Sequence, residues 1–530
     1  MSAGPSSLRD EIAVFNPATL EPVGVVAATE PAGVAEVVAE ARLAQERWAV
    51  EPFETRRRLL RRAAHVLLES LDEVAGTVVA ETGKPLIEAI TTEVFVSLDA
   101  LAWLARNAER VLRSERVPLR QPHLVHKRGL VRYEPVGVVG IVSPWNVPFA
   151  IPFTQAASAV AAGNAAVVKP SELTPLSGAL VEEVFRRAGA PAGLVRVVQG
   201  DGETVGDALV RCRGVSAIVF TGSAGTGRVV AARAAERLCP VVLELGGKDP
   251  MLVLGDADLE RAIEGALWGS FTNCGQICSG IERIYVESRL FERFVEGLAA
   301  RARALRLGRG DDPDVELGPL ISAERRARVE ELVADAVAAG AEVAAGGARA
   351  DVGLPGWFHQ PTVLLGEPDG ARLRREEVFG PVVIVVRIAN AEDGIRRAND
   401  SPFGLGASVW TRDRGVAARV ASRLQAGLVW TNDVAYSYGA CQAPWGGRGE
   451  SGYGRTHGRD GLRALCHVKF TDADPGRLSP PWWFPYDARV ADGFRGALGL
   501  LYGDGLRART RAAWRERRGL VALGRRALRR

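Results

Sequence analysis

The chain has 530 residues, of which 47% are hydrophobic and 25% are charged, a composition typical of globular proteins. Its length exceeds what one hydrophobic core usually supports, so we expect two or three domains. No apolar run reaches the roughly 18 residues that a membrane-spanning helix needs. Residues 1–10 lack the apolar segment of a secretory signal, and six cysteines without close pairing indicate a reducing cytosol. These features argue against a membrane-spanning or secreted protein and predict a cytoplasmic one.

The net charge of +4 conceals an uneven distribution along the chain. Residues 487–530 contain twelve arginines and four acidic residues, which leaves the rest of the chain with a net charge of −4. Because this body is weakly acidic, nucleic acid is not expected as a partner. The basic tail therefore needs an explanation of its own.

The first part of the chain reads as a short-strand segment followed by helices. Residues 8–27 predict an irregular or short-strand segment with a turn at 16–18. Apolar residues recur at helical spacing over 31–112, which predicts several amphipathic helices. Residues 123–135 alternate in polarity and predict a hairpin that turns at Gly129.

A regular alternation of β-branched runs and helical stretches begins at residue 138. The predicted strands are 138–142, 165–168, 195–199, 217–220 and 241–245, and the helices between them are 151–162, 176–187, 204–211 and 225–238. This alternation indicates a parallel sheet covered on both faces. Ligands of such sheets bind at the carboxyl ends of the strands. Those ends carry Asn146, Lys169, Gly200, Gly222 and Glu244.

The second half of the chain repeats this pattern and predicts a second α/β domain over 247–446. Its predicted strands are 251–254, 283–286, 382–386, 407–410 and 428–431, and its predicted helices include 322–339 and 393–399.

Two glycine-flanked side chains stand out as chemically reactive candidates. Cys278 follows Gly275-Gln276, and Glu244 ends an apolar run just before Gly246-Gly247. A thiolate that attacks and a carboxylate that activates water would together perform covalent catalysis. The alternatives are a cysteine that packs as a small hydrophobic residue and a solvated glutamate at a strand end.

Six motifs resemble those of the aldehyde dehydrogenase superfamily, in its order and approximate spacing. They are Pro144-Trp145-Asn146-Val147-Pro148, Lys169-Pro170-Ser171-Glu172, Phe220-Thr221-Gly222-Ser223, Glu244-Leu245-Gly246-Gly247-Lys248, Gly275-Gln276-Ile277-Cys278 and Glu376-Glu377-Val378-Phe379-Gly380-Pro381. The resemblance covers about residues 14–470. Similar tails and the sequence over 281–286 occur in succinate-semialdehyde dehydrogenase-like relatives, which points to succinate semialdehyde or another small semialdehyde as the substrate.

The resemblance implies an α/β fold whose domains have separate functions. A Rossmann-type cofactor-binding domain is expected over 1–122 and 136–246, and an α/β catalytic domain over 247–446. Residues 123–135 and 447–473 are expected to form a small β oligomerisation element of a homodimer or homotetramer. Residues 474–530 remain as a basic amphipathic extension.

The resemblance also assigns catalytic roles. It makes Cys278 the nucleophile that forms a thiohemiacetal and then a thioester, and Glu244 the base that activates water for hydrolysis to the carboxylic acid. Asn146 and the Cys278 backbone N–H would stabilise the oxyanion. Relatives that transfer the acyl group to coenzyme A generally lack a carboxylate at the position of Glu244. Glu244 therefore favours hydrolysis. The alternatives are a coenzyme A-acylating enzyme and a catalytically silent homologue.

The expected cofactor is NAD, with NADP as the alternative. The resemblance places Lys169 and Glu172 at the adenine ribose, although Glu172 also suits the first turn of a helix. The remaining predicted cofactor-binding residues are Trp145, Gly222, Ser223, Glu377 and Phe379. No cluster of histidine, cysteine and carboxylate residues has metal-ligand spacing, so no catalytic metal is expected.

Two features depart from the family pattern. Many members place a lysine nine residues after the Asn146 position, where this chain has Gln155. The tail opens with aromatic residues at 480–486 and continues as arginine-rich helical sequence. Such a segment suits peripheral contact with a membrane surface. A helix packed on the protein's own oligomer, or an unstructured tail, is the alternative.

Overall fold

The computed structural model describes residues 11–476 and 478–528, with Tyr436 and Ser437 described by their backbone alone. The expectation that residues 1–10 carry no secretory signal lies outside the described residues. The chain divides into two compact units. The first unit comprises the described residues up to Arg113 together with Glu134–His467, and the second comprises Ser114–Tyr133 with the described residues from Val468 onward.

Strands and helices alternate through most of the described chain. The strands are β1 (Glu11–Phe15), β2 (Pro22–Ala27), β3 (Glu115–Val117), β4 (Arg128–Pro135), β5 (Val138–Val142), β6 (Ala165–Lys169), β7 (Val195–Val197), β8 (Val215–Thr221), β9 (Val241–Glu244), β10 (Asp249–Val253), β11 (Ile281–Glu287), β12 (Glu342–Ala345), β13 (Thr362–Leu365), β14 (Val382–Ile388), β15 (Gly406–Trp410), β16 (Leu428–Thr431), β17 (Gly452–Tyr453) and β18 (Cys466–Ala473). The helices are α1 (Val34–Ala49), α2 (Phe53–Glu69), α3 (Leu71–Thr82), α4 (Leu86–Ala89), α5 (Val96–Leu112), α6 (Ala150–Ala162), α7 (Pro175–Arg187), α8 (Asp207–Arg211), α9 (Ala224–Ala235), α10 (Leu259–Phe271), α11 (Ser288–Ala304), α12 (Ala323–Ala338), α13 (Ala391–Asn399), α14 (Arg414–Ala421), α15 (Gly458–Ala464), α16 (Ala488–Tyr502), α17 (Gly505–Arg515) and α18 (Arg517–Ala527).

The first of two large sheets contains the five strands predicted over 138–245. Its order is β17-β9-β8-β5-β6-β7, with parallel pairing except at the antiparallel edge strand β17. Strands β5 and β6 are buried along their whole length, as their continuous apolar sequence predicts for a sheet covered on both faces. The α/β prediction is confirmed here, and the carboxyl ends of β9, β8, β5 and β6 lie along one edge of the sheet.

The second large sheet has the order β12-β13-β14-β11-β10-β15-β16. The predicted strands of the second half of the chain are present, and β12 and β13 were not predicted. Strand β12 is only four residues long and mostly outside the core, so its alternation carries little signal. Buried residues of α10, α11 and α12 cover this sheet in one apolar cluster.

The region predicted to be helical over 31–112 forms α1 to α5. Between α4 and α5, residues Ile90–Phe95 form a wider helical turn of the π type. Such turns are frequent near functional sites because they redirect side chains. The buried Glu93 lies within this turn and the buried Lys84 precedes α4, and both take part in the site described below.

The second unit contains a three-stranded sheet with the order β18-β4-β3 and the helices α16 to α18. The predicted hairpin over 123–135 is wrong, because Gly129 lies inside β4 and pairs with Val117 of β3. A Cβ at Gly129 would collide with the Val117 carbonyl oxygen and the Phe470 ring. The glycine therefore permits close packing of strands rather than a turn.

Candidate active site

Cys278 lies in a strained loop between α10 and β11. Asn273, Cys274 and Gly275 adopt positive φ angles of 51°, 57° and 69° in succession. A Cβ at Gly275 would collide with the Gly380 carbonyl, so this position requires glycine. The loop thus runs against the 376–381 motif and brings two sequence-distant motifs together.

Glu244 ends β9 at the carboxyl edge of the first sheet. Its backbone carbonyl accepts a hydrogen bond from the N–H of Gly222, the residue that follows β8. Glu244 also pairs with Gly452 of β17. Its side chain is 4% exposed, and neither carboxylate oxygen has a hydrogen-bond partner among the described residues. Burial raises the pKa of Glu244 well above its usual range, against the attraction of Arg455.

Cys278 and Glu244 line the same small cavity, which has a volume of about 20 Å³, room for about one water molecule. Burial raises the pKa of the Cys278 thiol to about 12, and the negative charges of Asp249, Glu377 and Glu244 add to this shift. The Ser279 backbone N–H opposes it. A thiol and a carboxyl group with unsatisfied oxygens therefore meet where a water molecule fits.

Asn146 is anchored by hydrogen bonds to both its backbone and its side chain. Its backbone carbonyl accepts from Lys84 Nζ at 2.8 Å and from Asn273 Nδ2 at 3.0 Å. Its own side-chain Nδ2 donates to the Gln276 carbonyl at 2.8 Å. An amide nitrogen carries two N–H groups, so one donor remains for a ligand. Asn146 is thereby tied to the loop that carries Cys278.

Two glutamates, the buried Glu93 and the partly buried Glu88, complete this network. Glu93 pairs with Lys84 at 2.9 Å and accepts from the Phe149 and Ala150 N–H groups at the start of α6. Glu88 accepts from Thr272 Oγ1 and the Asn273 N–H. Sequence reasoning missed Lys84, Glu88 and Glu93. The one available signal was that Lys84 is among only five lysines in the chain.

A second, larger cavity is lined by both Cys278 and Asn146. Its volume is about 70 Å³. Among the described residues, none with a charged side chain lines it. The apolar and aromatic side chains that line it are Val96, Val147, Ile151, Trp268, Ile277, Tyr438 and Trp445. This chamber reaches the reactive thiol and suits an uncharged group.

The predicted dinucleotide-binding residues lie along the carboxyl edge of the first sheet. Lys169 Nζ is 3.0 Å from a Glu172 carboxylate oxygen, with the lysine side chain buried and the glutamate exposed. Gly222 and Ser223 lead from β8 into α9, and Ser223 Oγ caps this helix by accepting from the Thr226 N–H. A Cβ at Gly222 would collide with the Phe220 ring. The cradle of backbone at a helix start fits a pyrophosphate.

The turn that carries Glu377 and Phe379 is held from two sides. Glu282 accepts from the Val378 and Phe379 N–H groups, and Arg325 donates to the carbonyls of the same two residues. Phe379 has a φ of 50°, a strained value for a non-glycine residue.

The same turn contacts the predicted cofactor side of the site. The Glu377 carboxylate accepts from the Gly247 N–H at 2.9 Å, and burial raises the pKa of Glu377 to about 8. The Trp145 and Phe379 rings meet edge to face at 5.5 Å. Glu282 itself pairs with the buried Lys248 at 2.6 Å. Sequence reasoning did not assign a role to Glu282, Arg325 or Lys248.

Gln155, the departure from the family pattern, is buried on α6. Its Nε2 donates to Thr221 Oγ1 at 3.1 Å, and its Oε1 has no hydrogen-bond partner among the described residues. Gln155 lines the small cavity with Glu244 and Cys278. A neutral amide thus occupies the position next to the carboxylate where many family members place a cation.

The chain is similar in sequence to known aldehyde dehydrogenases. The sequence model of the aldehyde dehydrogenase family matches residues 4–471. A betaine aldehyde dehydrogenase from Cereibacter sphaeroides is 41% identical over 479 residues, which cover 90% of this chain and 97% of that protein. A 4,4'-diapolycopene aldehyde oxidase from Methylomonas sp is 37% identical over 494 residues, covering 93% of this chain and 92% of that protein.

Solved structures are similar over the same region. The NAD+ complex of an aldehyde dehydrogenase from Bacillus cereus has a TM-score of 0.84 at 35% identity, and it covers 88% of this chain and 93% of that chain. A betaine aldehyde dehydrogenase from Staphylococcus aureus has a TM-score of 0.85 at 34% identity, with 90% and 96% covered. The chain belongs to the aldehyde dehydrogenase family. It is an oxidoreductase that acts on aldehydes and uses NAD or NADP.

Proposed function

We propose that this enzyme oxidises an apolar aldehyde to the carboxylic acid, with Cys278 as nucleophile, Glu244 as base and Asn146 as oxyanion donor. The observation that carries the proposal is the chamber beside Cys278 and Asn146, whose lining among the described residues is mostly apolar and aromatic and includes no charged side chain. An aldehyde with a hydrocarbon chain or ring would bury its apolar surface there.

The chemistry begins at the Cys278 sulfur. Its thiolate adds to the carbonyl carbon, and the resulting oxyanion accepts hydrogen bonds from the free Asn146 N–H and the Cys278 backbone N–H. Bound NAD or NADP supplies the acceptor for the hydride that leaves this carbon, and a thioester remains on Cys278. Glu244 takes a proton from water as the water attacks the thioester, which releases the acid and restores the thiol.

The carboxylate at position 244 favours water over coenzyme A as the acyl acceptor. Its two oxygens face the small cavity without another partner among the described residues. A buried carboxyl with a raised pKa is suited to accept a proton once a water molecule is in place. Hydrolysis to the free acid therefore remains our proposal.

The chamber does not favour succinate semialdehyde. That substrate carries a carboxylate, and burying it without a cation would be costly. In the part of the chain that the structure describes, no arginine or lysine lines the chamber. Betaine aldehyde is a second candidate, because Trp268, Tyr438 and Trp445 present aromatic rings that can attract a quaternary ammonium group. Relatives named for that substrate are also up to 41% identical.

A substrate panel tests this proposal. We expect kcat/KM for hexanal and benzaldehyde to exceed that for succinate semialdehyde by about 100-fold or more, because an unpaired buried charge costs several kcal/mol. Betaine aldehyde as the best substrate would support the second candidate. Preference for succinate semialdehyde would contradict the proposal, and a strict requirement for coenzyme A would overturn the role given to Glu244.

We further propose that NAD is preferred over NADP. The support is the exposed Glu172 carboxylate beside Lys169, which would repel a phosphate on the adenine ribose. The first large sheet would bind the dinucleotide, with Trp145, Gly222, Ser223, Glu377 and Phe379 as the further contacts. The second large sheet would carry the nucleophile.

The chain is also proposed to form a homodimer or homotetramer. The support is β18, an edge strand of the three-stranded sheet in the second unit, whose residues after Cys466 are exposed. An exposed edge strand offers backbone groups to a second copy. Light scattering coupled to size exclusion would test this, and a monomer at micromolar concentration would contradict it.

A further inference from the structure

The three tail helices pack through small residues. A Cβ at Gly493 would collide with the Gly519 carbonyl oxygen, and one at Gly519 would collide with the Gly493 nitrogen. A Cβ at Gly499 would likewise collide with Ala512. The backbones of α16 and α18 therefore approach closely, which only glycine allows. We call α16 to α18 the tail hairpin.

Several large apolar side chains of the tail hairpin face outward. Tyr502, Leu506, Trp514 and Leu528 are 71%, 79%, 72% and 74% exposed. In a helical hairpin that is stable in water alone, residues of this size usually fill the interior and small or polar residues cover the outside. Here Val490 is buried as usual, but these four larger side chains lie on the outside, so the outer surface is suited to a partly apolar environment.

Arginines are interleaved with these apolar residues. Arg518, Val521, Arg525 and Leu528 follow one another at spacings of three, four and three residues, so they share one exposed face of α18. The Arg517 guanidinium lies 4.8 Å from the centre of the Trp514 ring. Long arginine side chains can keep their charge at a polar boundary while neighbouring apolar groups enter a less polar layer.

The positive charge of the tail indicates which kind of surface it would bind. Residues 487–530 carry twelve arginines and four acidic residues, so an anionic surface is complementary. A two-fold contact between two tail hairpins would place arginine against arginine, which is unfavourable. In the described part of the chain, no helix is long and apolar enough to cross a membrane. The hairpin would therefore lie along a surface.

We propose that the tail hairpin docks on an anionic lipid surface, with Trp514, Val521 and Leu528 at the boundary of the acyl chains and the neighbouring arginines on the lipid phosphates. Aromatic and aliphatic groups at this depth and cations at the headgroups are the two contributions that hold interfacial helices. This surface lies outside residues 4–471, the part matched by the family.

Vesicle sedimentation of the full-length protein tests the proposal directly. The probes are vesicles of phosphatidylcholine alone and vesicles that contain one quarter phosphatidylglycerol. We expect binding to the anionic vesicles at low salt, strong weakening at about 0.5 M salt because charges are screened, and little binding to the neutral vesicles. Equal binding to both kinds of vesicle, or to neither, would overturn the proposal without the need for any variant.

Charge variants locate the contact. The triple variant Arg517→Gln, Arg518→Gln and Arg525→Gln should weaken binding to anionic vesicles by on the order of 100-fold, because each arginine near such a surface contributes about 1 kcal/mol. A matched control, Arg213→Gln, Arg414→Gln and Arg459→Gln, removes the same charge from exposed positions of the first unit. Equal loss of binding in the two triple variants would overturn the assignment to the tail.

An apolar variant separates docking from simple charge attraction. Val521→Ser with Leu528→Ser keeps every arginine, and we expect it to weaken vesicle binding by at least tenfold, since two buried aliphatic side chains are lost. Turnover of a water-soluble aldehyde reports that each variant is folded. Unchanged binding, tail-dependent dimerisation without vesicle binding, or binding to RNA in place of vesicles would each contradict the proposal.

Discussion

The buried Lys84–Glu93 pair offers the sharpest test of how the site is positioned. Lys84 Nζ contacts Glu93 at 2.9 Å and the Asn146 carbonyl at 2.8 Å, and both side chains are completely buried. Lys84→Met should lower the free energy of unfolding by about 3–5 kcal/mol, because it leaves the Glu93 carboxylate buried without its cation. The double variant with Glu93→Gln should recover much of that loss.

The double variant Lys84→Met with Glu93→Gln separates the effect on catalysis from the effect on stability. A hydrogen bond from a charged donor contributes about 1.5–3 kcal/mol, so losing the Lys84 contact to Asn146 should lower kcat by roughly 10–100-fold. The aldehyde chamber is unchanged, so KM should stay within a few-fold. Urea denaturation measures the first quantity and steady-state NADH formation the second.

Lys127 provides a matched control. It forms an ion pair of similar length, 2.8 Å, with Asp472, but on the exposed surface of the second unit. Lys127→Met should leave both the unfolding midpoint and kcat nearly unchanged, because water screens exposed pairs. If Lys127→Met lowers the free energy of unfolding as much as Lys84→Met does, burial of the ion pair is not the cause of that loss. If the double variant at 84 and 93 retains full kcat, Lys84 does not position Asn146.

The remaining predictions concern the reacting groups and the cofactor side. Cys278→Ala should abolish NADH formation while NAD binding, followed by protein fluorescence, is retained; residual turnover at the wild-type rate would exclude this nucleophile. Glu244→Gln should leave a burst of about one NADH per site and slow later turnover by about 100-fold or more. Because burial raises the pKa of Glu244, its basic form increases with pH, so hydrolysis-limited turnover of the wild type should rise towards alkaline pH. That slope should be lost in Glu244→Gln, and a slope that persists would assign it to another group. Glu282→Gln should raise the Kd of NAD by about tenfold, since it weakens the hold on the turn of Glu377 and Phe379; an unchanged Kd would show that Arg325 holds this turn without Glu282.

Much of the fold was predictable because its signals are local. The buried strands β5, β6 and β9 are continuous apolar runs that end at glycine or proline motifs, and their bounds agree with prediction to within one residue. The prediction of a turn at Gly129 was wrong for a physical reason. Glycine permits both a turn and a close approach of strands, and only the position of β3 and Phe470 distinguishes the two.

The candidate reactive residues were predictable for the same reason, but the residues that hold them in place were not. Cys278, Glu244 and Asn146 each sit in a short motif whose glycines or prolines mark a turn. Lys84, Glu93 and Glu282 act through contacts with residues 62, 56 and 96 positions away along the chain. No periodicity or spacing in the sequence links such pairs, because a buried charge is recognisable only when its partner is known.

Because the residues that hold the site lie outside the short motifs, intact motifs alone do not establish that a homologue is active. A chain can retain Cys278, Glu244 and Asn146 and still hold the Asn146 amide in the wrong place if Lys84 is lost. Since a positioned oxyanion donor typically contributes about 100–1000-fold in rate, a small displacement would leave a folded but nearly silent enzyme. If Lys84 positions Asn146 as proposed, the distinction between an active dehydrogenase and a silent homologue would depend on the pair at 84 and 93 as well as on the nucleophile.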